Sequence, residues 1–109
     1  MAEFAETLRL SEFADGSMQQ VTVRGDLVGL YRRGEEVFAI SDICTHEYAH
    51  LTDGDFDCDD LEVECPLHGS RFNVQTGEVR ILPATKPVST YQVKIEGDVV
   101  LVGPENTRS

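Results

Sequence analysis

The chain has 109 residues, which is enough for one compact domain and too few for two ordinary ones. Hydrophobic residues make up 40% and charged residues 27%, which is a globular and not a disordered composition. The formal net charge of -11 disfavours binding to nucleic acid or to an anionic membrane surface. No apolar run approaches the length of a membrane span, and the N-terminus lacks the pattern of a secretory signal, so we expect a cytoplasmic protein.

The chain is predicted to be all-β, because short segments of strand-like composition alternate with turns and helical periodicity is scarce. Nine strands are expected, at residues 7–10, 20–24, 27–32, 37–40, 61–64, 71–74, 79–81, 90–95 and 99–102. Turn residues follow several of them, at Gly25-Asp26, Gly34-Glu35, Thr76-Gly77 and Gly97-Asp98. One helical turn is expected at residues 11–15, with Ser11 as its N-cap.

The middle of the chain interrupts this pattern. All three cysteines and all three histidines fall between residues 41 and 69, where only one strand is predicted. Pro83 and Pro87 bracket a second loop at residues 82–88. We therefore expect a single domain, residues 1–109, in which a β framework carries a loop-built site between about residues 41 and 87. Three cysteines cannot form a closed disulfide set, so they are candidates for ligands, nucleophiles or core residues.

Two short boxes in this segment contain metal-binding residue types. The first is C-T-H at residues 44–46, and the second is C-P-L-H at residues 65–68. Two thiolates and two imidazoles suit either a tetrahedral zinc ion or a [2Fe–2S] cluster with two Cys on one iron and two His on the other. The single residue between Cys44 and His46 is fewer than the two to four usual between zinc-finger cysteines, which favours the cluster.

The two boxes, with the Gly-Ser-Arg-Phe segment at residues 69–72, resemble the paired ligand boxes of Rieske proteins. They are most similar to those of the small Rieske-type ferredoxins of bacterial aromatic ring-hydroxylating dioxygenase systems. The resemblance implies a Rieske fold, which is an antiparallel β-sandwich framework with a loop-built cluster-binding subdomain. It also implies one [2Fe–2S] cluster, with Cys44 and Cys65 on one iron and His46 and His68 on the other. The histidine edges would lie at the surface.

The resemblance further implies a function. A ferredoxin of this kind is a soluble one-electron carrier, which takes electrons from a flavin-containing NAD(P)H-dependent reductase and passes them to a terminal Rieske oxygenase. It would not be an enzyme itself, since the oxygenase needs a mononuclear iron with two further histidines and only His50 remains. A carrier that visits two partners is expected to be a monomer. The alternatives are a small Rieske-fold subunit of an assimilatory nitrite reductase and a structural zinc module.

Several positions differ from those of respiratory Rieske proteins. Ala49 and Leu67 stand where that class has an extra pair of disulfide-forming cysteines. Ser70 matches a serine that donates a hydrogen bond to a cluster sulfur, but Phe72 replaces a tyrosine that does the same. Because fewer donors stabilise the added electron less, we expect a midpoint potential near the low end for Rieske centres, roughly −150 mV.

Other features of the sequence favour simpler roles. Cys58, which lies among acidic residues, is interpreted as a passenger, and His50 as a loop residue near the cluster. The carboxylates that begin at Asp53 imitate a calcium loop, but Cys58 stands where glycine is usual. Eight acidic residues and no Lys or Arg occur between residues 47 and 64, a stretch expected to steer basic partners. The predicted core residues are Phe38, Phe72, Tyr91 and Val93.

Overall fold

The computed structural model describes residues 4–46, 48–67 and 69–106, which contain ten β-strands. They are Ala5–Arg9 (β1), Met18–Val23 (β2), Asp26–Arg33 (β3), Glu36–Ser41 (β4), Asp55–Asp57 (β5), Glu62–Glu64 (β6), Arg71–Asn73 (β7), Val79–Ile81 (β8), Thr90–Glu96 (β9) and Val99–Glu105 (β10). Single 3-10 turns lie at Leu10–Glu12 and Leu51–Asp53. Neither helix in the described ranges is long or apolar enough to cross a membrane.

The strands form two antiparallel sheets. The larger has six strands in the order β1-β10-β9-β4-β3-β2, and the smaller has four in the order β5-β6-β7-β8. All nine predicted strands are present, with bounds within three residues of the expected ones. The tenth, β5, was not predicted because its Asp-Phe-Asp sequence is too short for a recognisable alternation. It pairs with β6, so the segment between residues 41 and 87 contains a small sheet beneath its loops.

The first hairpin turns one residue earlier than predicted. Its loop residues are Arg24 and Gly25, whose φ angles are 50° and 86°, as a type I′ turn requires. The Arg24 guanidinium donates hydrogen bonds to the carbonyl oxygens of Val102 (3.5 Å) and Gly103 (2.5 Å) on β10. These bonds help to hold a non-glycine residue in the left-handed region. The prediction of a Gly25-Asp26 turn was wrong because the partners of Arg24, Val102 and Gly103, lie far away in the sequence.

Ser11 is not a helix cap, contrary to prediction. The 3-10 turn begins at Leu10, and no side chain caps it. The Ser11 hydroxyl donates instead to Asp98 Oδ2 (2.5 Å), and its N–H donates to Asp98 Oδ1 (3.0 Å). Asp98 lies in the β9–β10 turn, so Ser11 ties the start of the chain to the last hairpin.

The core consists of two apolar clusters. One contains Val28 and Leu30 of β3 and Val100 and Val102 of β10, so it lies on the larger sheet. The other contains Tyr31 from the larger sheet and buried residues of the smaller one, so it joins the two sheets. The predicted core residues are confirmed: Phe72 and Tyr91 are buried, and Phe38 and Val93 pack against the clusters.

Tyr31 has a buried hydroxyl group with no hydrogen-bond partner among the described residues. Burial, and to a smaller extent the Asp42 carboxylate, raises the pKa of Tyr31 well above its usual value. We expect Tyr31→Phe to increase the free energy of unfolding at pH 7 by about 1 kcal/mol, because an unsatisfied buried hydroxyl is costly. Denaturant unfolding measures this difference, and the exposed Tyr48 provides a matched control, Tyr48→Phe.

The same substitution changes the response to alkaline pH. A raised folded-state pKa contributes stability that is fully present below the unfolded value of about 10 and is lost as pH rises through the folded value. The wild-type protein should therefore lose stability above about pH 10, and Tyr31→Phe should lose less. Tyr91, whose pKa is also raised by burial, remains in both proteins and keeps part of the loss. If Tyr31→Phe had a lower free energy of unfolding than the wild type at pH 7, the buried hydroxyl would not be destabilising and the prediction would be wrong.

Candidate cluster-binding site

The first ligand loop, residues 43–50, follows β4 and folds back on itself. Ile43 and His50 form an isolated antiparallel bridge, and the Cys44 N–H donates to the Ala49 carbonyl oxygen at 3.0 Å. Cys44 is 5% exposed, whereas His46 is exposed. The loop therefore buries the Cys44 thiol and leaves the His46 side chain accessible.

The second ligand loop, residues 65–70, repeats this hydrogen bond. The Cys65 N–H donates to the Ser70 carbonyl oxygen at 2.7 Å, again five residues along the chain. Gly69 donates its N–H back to the Cys65 carbonyl oxygen at 3.2 Å. Its φ of 75° lies in the left-handed region, which favours glycine. Cys65 is 2% exposed. His68, the fourth predicted ligand, lies outside the described residues.

A third loop, residues 82–88, is bonded to both ligand loops. The Thr45 hydroxyl donates to the Lys86 carbonyl oxygen at 2.6 Å, and the Ala84 N–H donates to Ser70 Oγ at 2.9 Å. Ala84 is fully buried, in the same apolar cluster as the two thiols. The hydroxyl proton of Ser70 is left for another acceptor. This is the proline-bracketed loop that the sequence placed near the cluster.

The candidate ligands that the structure describes, Cys44, His46 and Cys65, have residue types that suit a [2Fe–2S] cluster. Cys44 and Cys65 belong to one buried apolar cluster, and His46, two residues after Cys44, is exposed. A [2Fe–2S] centre divides its ligands between two irons, so its four ligands need not meet at one point. Thiolates suit iron–sulfur chemistry, and imidazoles suit iron.

Exposed apolar side chains lie on or next to these loops, a feature that was not predicted from the sequence. Every large apolar side chain that is exposed within the described ranges lies on one of the three loops or at the edge of β8. They are Tyr48, Leu67, Ile81 and Leu82, with 50% to 76% of their surface exposed, and we call them the apolar rim. Contiguous exposed apolar patches mark interaction surfaces, so these side chains are candidates for contacts with a partner. The available signal was an apolar residue inside each predicted loop.

The acidic stretch is partly neutralised by a residue from outside it. Arg71 on β7 forms ion pairs with Glu62 (3.4 Å) and Glu64 (3.0 Å) across the small sheet. Asp57 Oδ1 accepts the N–H groups of Asp59 and Asp60, at 3.1 and 3.2 Å. These bonds form an ordinary turn between β5 and β6, in keeping with the rejection of a calcium loop. Outward-facing carboxylates remain at Asp53, Asp55, Asp59 and Asp60.

The two residues interpreted as bystanders lie in different places: Cys58 in the β5–β6 turn, and His50 at the end of the first ligand loop, where it pairs with Ile43. Cys58 is half-buried in the β5–β6 turn, with its sulfur 4.0 Å from the Arg32 carbonyl oxygen. His50 packs its ring against the Tyr48 ring at 5.7 Å and places Nδ1 3.8 Å from Asp53 Oδ2. Neither belongs to a Cys/His box, so each provides a matched control for ligand substitutions.

A β framework whose loops carry the C-T-H and C-P-L-H sequence boxes is typical of iron–sulfur proteins of the Rieske type. Residues 3–92 match the Rieske [2Fe-2S] domain model, and the chain belongs to this family. Membership implies a [2Fe–2S] cluster. The predicted all-β Rieske fold is thereby confirmed.

Several relatives of the chain are ferredoxin components of dioxygenase systems. The chain is 38% identical over 100 residues to the ferredoxin component of the naphthalene 1,2-dioxygenase system of Pseudomonas aeruginosa, covering 92% of the chain and 94% of the relative. The carbazole 1,9a-dioxygenase ferredoxin from Nocardioides aromaticivorans IC177 has 40% identity and a TM-score of 0.90, covering 93% and 97% of the two chains. A complex of reduced oxygenase and oxidized ferredoxin in carbazole 1,9a-dioxygenase has 32% identity and a TM-score of 0.89, with 97% of each chain covered.

The nitrite reductase alternative finds support only at the level of fold. Two solved structures whose names refer to nitrite reductase small subunits are 19% and 17% identical to the chain. Their TM-scores are 0.76 and 0.82. They share the architecture, and a shared fold does not imply a shared function.

Proposed function

We propose that the chain is the ferredoxin component of an aromatic-ring dioxygenase system, a one-electron carrier and not a catalyst. The observation that carries this proposal is the pairing of two buried thiols, Cys44 and Cys65, with an exposed histidine, His46, on loops that the third loop fastens together. A carrier needs a cofactor shielded from water except at one edge, where electrons enter and leave. Relatives of matching length carry this function in several dioxygenase systems.

In this proposal Cys44 and Cys65 bind one iron, and His46 and His68 bind the other. When bound, the cluster accepts and returns one electron, at a potential above that of all-cysteine clusters because imidazoles are neutral. Burial of Cys44 and Cys65 keeps water from the thiolates, and His46 provides an accessible edge. Phe72 is fully buried and has no hydroxyl to donate, which supports a potential near the low end, roughly −150 mV.

The partners in this proposal are a flavin-containing NAD(P)H-dependent reductase and a terminal Rieske oxygenase. The apolar rim offers each of them a small apolar contact on or next to the loops that carry the two boxes, and the outward-facing carboxylates attract basic surfaces. Such contacts suit a fast and weak encounter that salt slows. A monomer working in the cytoplasm, with residues of about 41–87 as the cluster-binding subdomain, fits a carrier that must visit both partners.

Redox titration followed by electron paramagnetic resonance tests the cofactor. A rhombic Rieske signal on reduction, with a midpoint near −150 mV, is the expected result. A colourless, zinc-loaded protein would contradict the proposal, and a midpoint well above zero would contradict the interpretation of Phe72. The carrier role is tested by adding the chain to a purified naphthalene dioxygenase reductase and oxygenase with NADH. Product should form only when the chain is present, and high salt should slow it.

A further inference from the structure

Asp42 is a fully buried acid at the entrance to the first ligand loop. Its N–H donates to the Leu27 carbonyl oxygen on β3 at 3.0 Å, and its carbonyl oxygen accepts the Leu51 N–H at 2.8 Å. Leu51 follows the last residue of the loop. The main chain of Asp42 therefore connects the two ends of the loop to each other and to the larger sheet.

The Asp42 carboxylate repeats this connection through its side chain. Oδ1 accepts the Thr52 N–H at 2.8 Å, and Oδ2 accepts the Thr52 hydroxyl at 2.7 Å. Oδ2 also accepts Nε2 of Gln20, on β2, at 2.6 Å. All three donors are neutral, so these bonds solvate the carboxylate without cancelling its charge. Burial of a carboxylate is costly, and these bonds offset part of that cost.

The packing around the carboxylate leaves little room. A Cβ atom built on Gly29 would lie 3.1 Å from Asp42 Oδ1, 3.1 Å from Thr52 Cγ2 and 2.9 Å from the Tyr31 hydroxyl oxygen. The three side chains are therefore held around one glycine of β3. This packing and the three donors hold the Asp42 carboxylate in one position. Because the first ligand loop begins at the next residue, the start of the loop is held in place as well.

We propose that Asp42 is a positioning residue for the cluster, an inference that rests on the proposed function. Its carboxylate holds the first ligand loop in the conformation that presents Cys44 and His46. Its Cα lies no more than about 7.6 Å from that of Cys44, two residues along the chain. A buried negative charge this few residues from a cluster ligand disfavours the addition of an electron to the cluster. Asp42 thus both shapes the site and lowers its midpoint potential.

Asp42→Asn tests both roles, because the amide keeps the shape, loses the charge and presents N–H groups to donors. We expect the midpoint potential to shift in the positive direction. We also expect the loss of the cluster to an iron chelator to become at least about tenfold faster, because bonds to a charged group are lost. Asp98→Asn is the matched control: Asp98 also accepts a backbone N–H and a hydroxyl, both from Ser11, in the β9–β10 turn. It should change neither quantity.

A second pair of variants separates shape from charge. Thr52→Val removes one bond to Asp42 and keeps the charge, so the cluster should be lost faster while the midpoint stays near that of the wild type. Thr52→Ser should restore the wild-type rate. If Asp42→Asn matches Asp98→Asn in both measurements, the inference is wrong. If Asp42→Asn does not fold, Thr52→Val decides the question. The inference is then wrong if Thr52→Val loses its cluster to the chelator at the wild-type rate. Both measurements concern the cluster alone, so failure with the reductase or the oxygenase would count only against the proposed function.

Discussion

Cys44→Ser and Cys65→Ser are each expected to abolish the Rieske spectrum, whereas Cys58→Ser leaves it intact. The first two thiols are buried in one apolar cluster, and the third lies half-buried in the β5–β6 turn. Iron–sulfur clusters are held by thiolates, and a serine hydroxyl ionises far less readily. Visible absorption, paramagnetic resonance and iron per chain measure the loss, which we expect to exceed about 90% in both ligand variants.

The histidines give the parallel experiment. His46→Ala and His68→Ala should lose the Rieske signal, and His50→Ala should keep it, because His50 lies outside both boxes. Retention of an intact Rieske spectrum by His68→Ala would contradict the proposed ligand set. If instead Cys58→Ser or His50→Ala lost the cluster, the assignment of ligands to the two boxes would be incomplete.

Phe72→Ala is expected to lower the free energy of unfolding by about 3–5 kcal/mol, the usual cost of removing a buried phenylalanine ring. Phe72 is fully buried on β7, in the apolar cluster that also contains Cys44 and Cys65. A domain of this kind has about 5–15 kcal/mol of stability in total, so the loss is severe. We also expect the variant to release iron faster, because the cavity loosens the packing around Cys44 and Cys65.

Denaturant unfolding of the iron-loaded proteins measures the first effect. Phe72→Leu, which keeps most of the volume, should recover most of the stability, and Tyr48→Ala should stay within about 0.5 kcal/mol of the wild type because Tyr48 is exposed. If Phe72→Ala were as stable as Tyr48→Ala, the apolar cluster that joins the two sheets would contribute little to the free energy of unfolding.

The amino-acid sequence alone determined nine of the ten strands, the two boxes and the proline loop. These features are local: alternation, turn residues and a C-x-H spacing can be read within a few positions of one another. Val79–Ile81 was predicted at its observed bounds for this reason. The family resemblance also rests on the short boxes at residues 44–46 and 65–68, whose residue types are sufficient for the comparison.

The tertiary structure decided which distant groups meet. Ser11 bonds to Asp98, 87 residues away, and Arg24 bonds to Gly103, 79 residues away. Asp42 meets Gln20 across 22 residues. In each case a side chain that local rules assign to a cap, a turn or a surface takes a partner supplied by sheet pairing. The residue type determines which hydrogen bonds a side chain can form, whereas the fold determines which partner it meets. For Asp42, that partner helps to position the first ligand loop.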